Sequence, residues 1–127
     1  MAIKFKVIEK GQPGVAGGGT KKFYATPVMD GELTLEDLTH TIEKMCTVNG
    51  ADIRAVLYAM VEVAVDSLAD GTIVRFGELG SLRTSLSSEG KAKATDVTAA
   101  AIKDASVIFS PGTRIKTMLA AAKFQKN

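Results

Sequence analysis

The chain has 127 residues, 46% of them hydrophobic, which is enough for one domain with an apolar core. It contains no apolar run of about eighteen residues, the length that a membrane-spanning helix requires. A single cysteine, Cys46, excludes an intrachain disulfide and suits a reducing compartment. We therefore expect a soluble cytoplasmic protein without a membrane partner.

The net charge of +2 hides an uneven distribution along the chain. Residues 1–29 and residues 105–127 each carry a net charge of +4, whereas residues 30–70 carry −7. Salt screens charges beyond about 8 Å at physiological ionic strength, so a partner responds to the local patch and not to the total. The flanks of the chain, including a basic tail over residues 123–127, are therefore its positive regions.

The N-terminal residues predict a β-hairpin with a long, glycine-rich loop. Apolar and polar side chains alternate over residues 2–9, which is the period of a β-strand. Glycines and a proline over residues 11–19 predict a flexible loop. Residues 22–28 can pair back as a second strand, with Pro27 at an edge or an end. We assign residues 1–30 to this N-terminal extension.

Two amphipathic helices are predicted between residues 34 and 70. The first begins at Thr34, with Asp37 three residues later as a weak capping box. The second is capped by Asn49, and Asp52 in its first turn suits the helix dipole. Its apolar stripe is wider than one short neighbouring helix can cover. A second copy of the chain would cover it; in the alternative, a monomer, the N-terminal hairpin does so.

A β-hairpin is predicted after the second helix, which Gly71 ends because glycine adopts a left-handed C-cap without steric cost. Residues 72–76 are apolar and β-branched and predict a short strand. Residues 79–86 predict its partner, after a turn at Gly77. Gly80 lies inside this second strand, where a bulge or a close backbone approach is expected.

Two motifs in the second half of the chain resemble those of the HU and integration-host-factor superfamily of bacterial histone-like proteins. The hairpin sequence V-R-F-G-E-L-G-S-L resembles the family signature V-x-L-x-G-F-G-x-F, with Glu78 in place of the first glycine. The sequence F-S-P-G-T-R-I-K, which begins at Phe109, resembles the family segment F-x-P-G-x-x-L-K. Order and spacing also agree, since Phe109 follows Leu82 by 27 residues.

The resemblance implies an α+β, HU-like fold over residues 31–127, with a two-helix body, an antiparallel β-hairpin sheet with an arm, and a C-terminal helix. The N-terminal hairpin is similar to that of a longer, HU-related subgroup. The family also implies a homodimer that binds double-stranded DNA with little sequence preference in the bacterial nucleoid and condenses it. Binding would use phosphate and minor-groove contacts, without catalysis, cofactor, metal or small-molecule substrate.

The residues predicted to contact DNA lie on the hairpin and the base of the arm that follows it, and at the start of the last helix. By position, residues 88–104 would be the DNA-clasping arm of the family. The start of the last helix is a candidate phosphate site, because a helix N-terminus offers free N–H groups and a positive dipole end. Without the family context the same motif would describe a well-capped helix. The predicted contacts are Arg75, Arg83, Lys91, Lys93, Pro111, Gly112, Thr113, Arg114 and Lys116.

The arm departs from the family pattern. It lacks the R-N-P-x-T-G tip, and no proline occurs between Pro27 and Pro111. Glu89, Asp96 and Asp104 also dilute its positive charge. We therefore expect at most shallow bending of DNA, because proline wedges are what unstack a base step. The alternative function is a structural or protein-interaction module on an HU-like fold with weak or no DNA affinity.

The residues give no support to an enzyme. Gly14 and Gly19 have the spacing of a phosphate-binding loop, but Thr20-Lys21 reverses the required order and no helix follows. His40 is the sole histidine, has no catalytic constellation around it, and is best interpreted as a solvated helix residue. No metal-ligand spacing is present.

Overall fold

A computed structural model describes all 127 residues and divides them into two compact units. Met1–Thr34 and Leu119–Asn127 form one unit, here called the terminal unit. Leu35–Met118 form the other, the central unit. The chain contains three α-helices and two three-stranded sheets, which makes the fold α+β. None of the helices combines the length and apolarity that a membrane crossing requires.

The terminal unit is built on a sheet that joins both ends of the chain. Its central strand β1 (Ile3–Lys10) is antiparallel to β2 (Lys22–Pro27) and parallel to β6 (Phe124–Lys126). Further hydrogen bonds extend this pairing, with the Ile3 amide donating to the Lys123 carbonyl at 2.8 Å. The residues expected from sequence to be a basic tail therefore include a strand, because β1 offers them a free edge.

The central unit begins with the two predicted helices, α1 (Leu35–Met45) and α2 (Gly50–Ala69). The predicted cap of α2 is confirmed, since the Asn49 Oδ1 accepts a hydrogen bond from the Asp52 amide at 2.9 Å. The predicted end of α2 is confirmed as well, because Gly71 has a left-handed φ of 80°. Local sequence signals thus place both ends of this helix.

The predicted hairpin is the start of a sheet with the strand order β3-β4-β5: Val74–Arg75, Gly80–Ser88 and Ile102–Pro111. All pairings are antiparallel. The first strand is shorter than predicted because the Thr72 amide still donates to the Ser67 carbonyl at the end of α2. After the first strand, the Phe76 amide donates a hydrogen bond to the Gly80 carbonyl and closes the turn between β3 and β4.

One face of this sheet lies towards α2. Thr84 Oγ1 donates a hydrogen bond of 3.1 Å to the Leu68 carbonyl near the end of that helix. Leu82 lies two residues before Thr84 on the same face, opposite Phe109 of β5. Few side chains of the chain are fully buried, and the buried apolar ones are Ile53, Ala64 and Ala101.

The segment between β4 and β5 is a connection of irregular structure and not a pair of extended strands. It contains short 3-10 turns at Ala94–Asp96 and Ala99–Ala101. The Glu89 amide donates to the Ala101 carbonyl at 2.8 Å and closes its base. The strand after it begins at Ile102, because backbone pairing with β4 extends as far as Ser88.

Two glycines bring the β3–β4 turn against the start of α3 (Thr113–Ala120). Gly80 has a φ of 145°, and a Cβ at this position would lie 2.8 Å from the Phe109 ring. A Cβ on Gly112 would meet the Glu78 carbonyl and would lie 2.8 Å from the Gly80 nitrogen. The close backbone approach predicted at Gly80 is therefore confirmed. Gly112 is the residue of the other segment that comes close to Gly80.

The Gly112→Ala variant should lower the free energy of unfolding by about 1–3 kcal/mol, the usual cost of overpacking, because backbone and not a mobile side chain occupies the space. Urea unfolding measures the effect. Gly90→Ala is the matched control, since a Cβ there meets no atom within 4 Å. It should change stability by less than about 0.5 kcal/mol. An equal loss in both variants would contradict the steric argument.

Candidate nucleic-acid interface

The sheet face directed away from α2 is polar and carries two arginines. Residues directly opposite each other on neighbouring strands share a face. Arg75 is opposite Ser81, and Arg83 is opposite Ile108. Both arginines therefore project from the face opposite to that of Thr84, which lies towards α2. The strand positions on this face, here called the serine–arginine face, are Arg75, Ser81, Arg83, Ser85, Ser87, Asp104, Ser106, Ile108 and Ser110.

The composition of the serine–arginine face suits an anionic partner. Guanidinium groups and serine hydroxyls are among the side chains that donate hydrogen bonds to phosphate oxygens. Arg75 and Arg83 are exposed, and neither forms an ion pair within the chain. Asp104 is the one acidic residue on the face, and its carboxylate accepts a hydrogen bond of 2.8 Å from the Ala105 amide.

The start of α3 holds the second group of predicted contacts, and here the structure changes the role expected for Gly112. Its amide donates a hydrogen bond of 2.9 Å to the Leu79 carbonyl, so it is not free for a phosphate. The Glu78 carbonyl occupies the space beside its α-carbon. Pro111 is paired with Gly80 at the end of the β4–β5 ladder. Pro111 and Gly112 therefore position the helix, and the free amides belong to the first turn that Thr113 begins.

Arg114 has an acidic neighbour within the chain. Its Nη1 lies 3.8 Å from Oε2 of Glu78, the residue that replaces a glycine of the family signature. Both side chains are exposed, Arg114 to 80% and Glu78 to 71%. Exposed ion pairs contribute only about 0–1 kcal/mol. Arg114 can therefore exchange this carboxylate for a phosphate at little energetic cost.

Lys116 faces a different direction from Arg114. Residues two apart on a helix point about 200° away from each other, so the two cations cannot share one phosphate. Lys116 is exposed and makes no ion pair. Each residue would therefore serve a separate contact.

Lys91 and Lys93 lie in the β4–β5 connection, beyond the serine–arginine face. Lys91 Nζ is 3.2 Å from Oε2 of Glu89, whereas Lys93 makes no ion pair. The structure thus brings Arg75 and Arg83 onto one face, and it does not add the two lysines to that face.

Two features of this region were not predicted from the sequence. The serines of β5 join the face only through the register that sets Ser106 opposite Ser85 and Ser110 opposite Ser81. The alternation of residues 102–111 was the available signal, but it does not specify the partner strand. The contact of Glu78 with Arg114 joins residues far apart in sequence and carries no local signal.

A sheet flanked by a helix pair and followed by a proline-glycine helix start defines an HU-like protein. Residues 1–126 match the family described as an HU domain fused to a wHTH, Ig or glycine-rich motif, and the chain belongs to this family. The predicted HU-like family is therefore confirmed. No protein of curated function matches the chain.

One similar solved structure is that of a proposed bacterial DNA-binding protein from Bacteroides vulgatus ATCC 8482. It has 16% sequence identity to this chain and a TM-score of 0.66. The alignment covers 98% of this chain and 48% of the other, so this chain spans about half of its length. At this identity the likeness shows the fold alone.

Proposed function

We propose that this protein is a homodimer that binds double-stranded DNA with little sequence preference, and that it acts in the bacterial nucleoid, where it condenses DNA. The observation that carries the proposal is the serine–arginine face of an HU-like sheet, with two unpaired arginines among serine hydroxyls. Such a surface suits phosphate and minor-groove contacts that read backbone and groove shape. The description of the Bacteroides protein agrees with it.

The exposed apolar surface of α2 supports the homodimer. Its valines at positions 56, 61, 63 and 65 are 49–67% exposed. Beside it, Ile42 of α1 and Ile53, Val56 and Leu57 of α2 help to line an open apolar pocket of about 240 Å³. A second copy of the chain could cover this helix and fill the pocket.

The total surface area leads to the same proposal. The chain exposes 10281 Å². Two separate globules of the sizes of the terminal and central units would expose only about 7,700 Å² together. If each of two copies buried this excess of about 2,500 Å², the interface would bury about 5,000 Å² in total, which is in the range of obligate dimers. In a monomer this surface would remain in contact with water.

Val61→Asp should destabilise the fold and dissociate the dimer, because an unpaired carboxylate in an apolar interface costs several kcal/mol. Multi-angle light scattering and the concentration dependence of thermal unfolding measure both effects. Val97→Asp is the control, since Val97 is exposed to a similar degree (52%, against 49% for Val61) but lies in the β4–β5 connection. A well-folded wild-type monomer at micromolar concentration would contradict the dimer.

The DNA-binding proposal is tested by salt dependence. The logarithm of the association constant should fall linearly with the logarithm of salt concentration, with a slope of about −0.9 for each phosphate neutralised. Arg114→Gln and Lys116→Gln should each flatten the slope by about one and the double variant by about two, equally for unrelated duplexes. Fluorescence anisotropy at several salt concentrations gives the slopes. Unchanged slopes in all three variants would exclude the start of α3 as a contact.

Glu78→Gln should raise DNA affinity about two- to fivefold, because Arg114 would no longer leave a carboxylate to reach a phosphate. The gain should disappear in the Arg114→Gln background. Glu36→Gln is a matched control for the loss of one negative charge: Glu36 is likewise 71% exposed and lies 3.8 Å from a side-chain nitrogen, Nε2 of His40. An equal gain from both substitutions would indicate a general effect of net charge.

The alternative is a structural or protein-interaction module with weak DNA affinity. The observation in its favour is the charge of the central unit, which has eleven acidic residues against nine basic ones. The absence of a proline from the β4–β5 connection also leaves no wedge for sharp bending of DNA. Gel-shift assays with duplex, nicked and single-stranded DNA at two salt concentrations separate the two functions.

A further inference from the structure

The sheet of the terminal unit has one face that is rich in lysine. Lys10 is paired with Lys22, Lys6 with Thr26, and Ile8 with Tyr24, so these side chains share a face. Lys4 and Gln125 extend it across β1 and β6. This surface, here called the lysine face, consists of Lys4, Lys6, Ile8, Lys10, Lys22, Tyr24, Thr26 and Gln125.

No acidic residue compensates the charge of the lysine face. Glu9 is paired with Phe23 and therefore lies on the opposite face of the sheet. None of the four lysines forms an ion pair, and all four are exposed. Lys10 and Lys22 are directly opposite each other, an arrangement that is destabilising for like charges. A bound polyanion would relieve this repulsion.

The distribution of charge between the two units points in the same direction. The terminal unit has seven lysines against three acidic residues, a net charge of +4. The central unit has a net charge of −2. Long-range attraction of a polyanion therefore comes from the terminal unit, although the central unit carries the motifs of the family.

We propose that the lysine face is a second DNA-binding surface, which contacts the phosphate backbone of double-stranded DNA. The proposal rests on the DNA-binding function proposed above and adds a contact that the family motifs do not contain. Residues along a strand are about 3.3 Å apart, so Lys4, Lys6 and Lys10 form a row of about 20 Å. Duplex DNA presents a negative charge for about every 1.7 Å of its axis, which gives such a row several phosphates.

Other polyanions fit the lysine face less well. A membrane surface would take apolar side chains beside the lysines, but apart from Ile8 the aliphatic side chains of this sheet project from the opposite face. There Ile3, Phe5, Pro27 and Phe124 help to line a concavity of about 410 Å³. Single-stranded DNA binds through exposed aromatic rings on which bases stack. Tyr24 is half-buried, and the Lys10 ammonium lies 5.0 Å from its ring centroid.

The test compares two triple variants that remove the same charge from the terminal unit. Lys4→Gln/Lys6→Gln/Lys22→Gln changes the lysine face. Lys21→Gln/Lys123→Gln/Lys126→Gln changes exposed lysines outside it: Lys126 is paired with Phe5 on the opposite face, and Lys21 and Lys123 lie outside the strands. Anisotropy with a labelled duplex should show at least a tenfold loss for the first, with a salt slope flatter by about 2.7. The second should lose less than threefold.

Three outcomes would overturn the lysine face: an equal loss in both triple variants, no loss in the first variant, or tighter binding of the wild type to phosphatidylserine vesicles than to duplex. No loss in the first variant together with flattened slopes in Arg114→Gln and Lys116→Gln would leave the proposed function intact. A loss of affinity in the first variant, together with unchanged slopes in Arg114→Gln and Lys116→Gln, would support the lysine face and exclude the start of α3 as a contact. No loss in either set would contradict both proposals.

Folding of the first triple variant is checked by circular dichroism, and its thermal midpoint should stay equal or rise because like-charge repulsion is removed. Lys4→Arg/Lys6→Arg/Lys22→Arg keeps the charge and should retain affinity within twofold. A loss of affinity in this arginine variant comparable to that in the glutamine variant would show that packing, and not charge, is responsible.

Discussion

The candidate interface depends on the contact between the β3–β4 turn and Gly112. The Gly112 amide donates to the Leu79 carbonyl, and the Glu78 carbonyl occupies the place of a side chain. This contact fixes where α3 begins, next to a turn that carries an acidic residue. The contact therefore sets the position of the first turn of the helix, and it brings Glu78 close to Arg114. The two family motifs, distant in sequence, are thus two sides of a single packing contact.

Charge in this molecule is arranged locally and partly balanced. Arg114 and Lys91 each have an exposed carboxylate within 4 Å, whereas Arg75 and Arg83 have none. Exposed pairs of this kind contribute little to stability. In each pair, however, the carboxylate would compete with a phosphate for the same cation. The four uncompensated lysines of the lysine face lie in the terminal unit. A chain with a net charge of only +2 can therefore attract a polyanion through one region and adjust its affinity through another.

The breadth of the apolar stripe on α2 links fold to assembly. A helix that is apolar on most of its surface is stable in water only when neighbours cover it. Within one chain, α1 and the β3-β4-β5 sheet cover part of α2 and leave several valines exposed. This constraint comes from the hydrophobic effect alone and does not depend on DNA. It is the reason that the proposed homodimer and the proposed DNA surface rest on separate observations.

Local sequence signals were enough to predict both ends of α2, the short hairpin, and the proline-glycine start of α3. Caps, turns and helical periodicity involve residues a few positions apart, so their signals are contained in the segments that form them. Three features could be known only from the folded chain: the parallel pairing of β6 with β1, the register that adds Ser106 and Ser110 to the serine–arginine face, and the contact of Glu78 with Arg114. These pairings join segments that are far apart in the chain. An alternating pattern specifies that a strand has two faces, but not which strand will lie beside it or in which register.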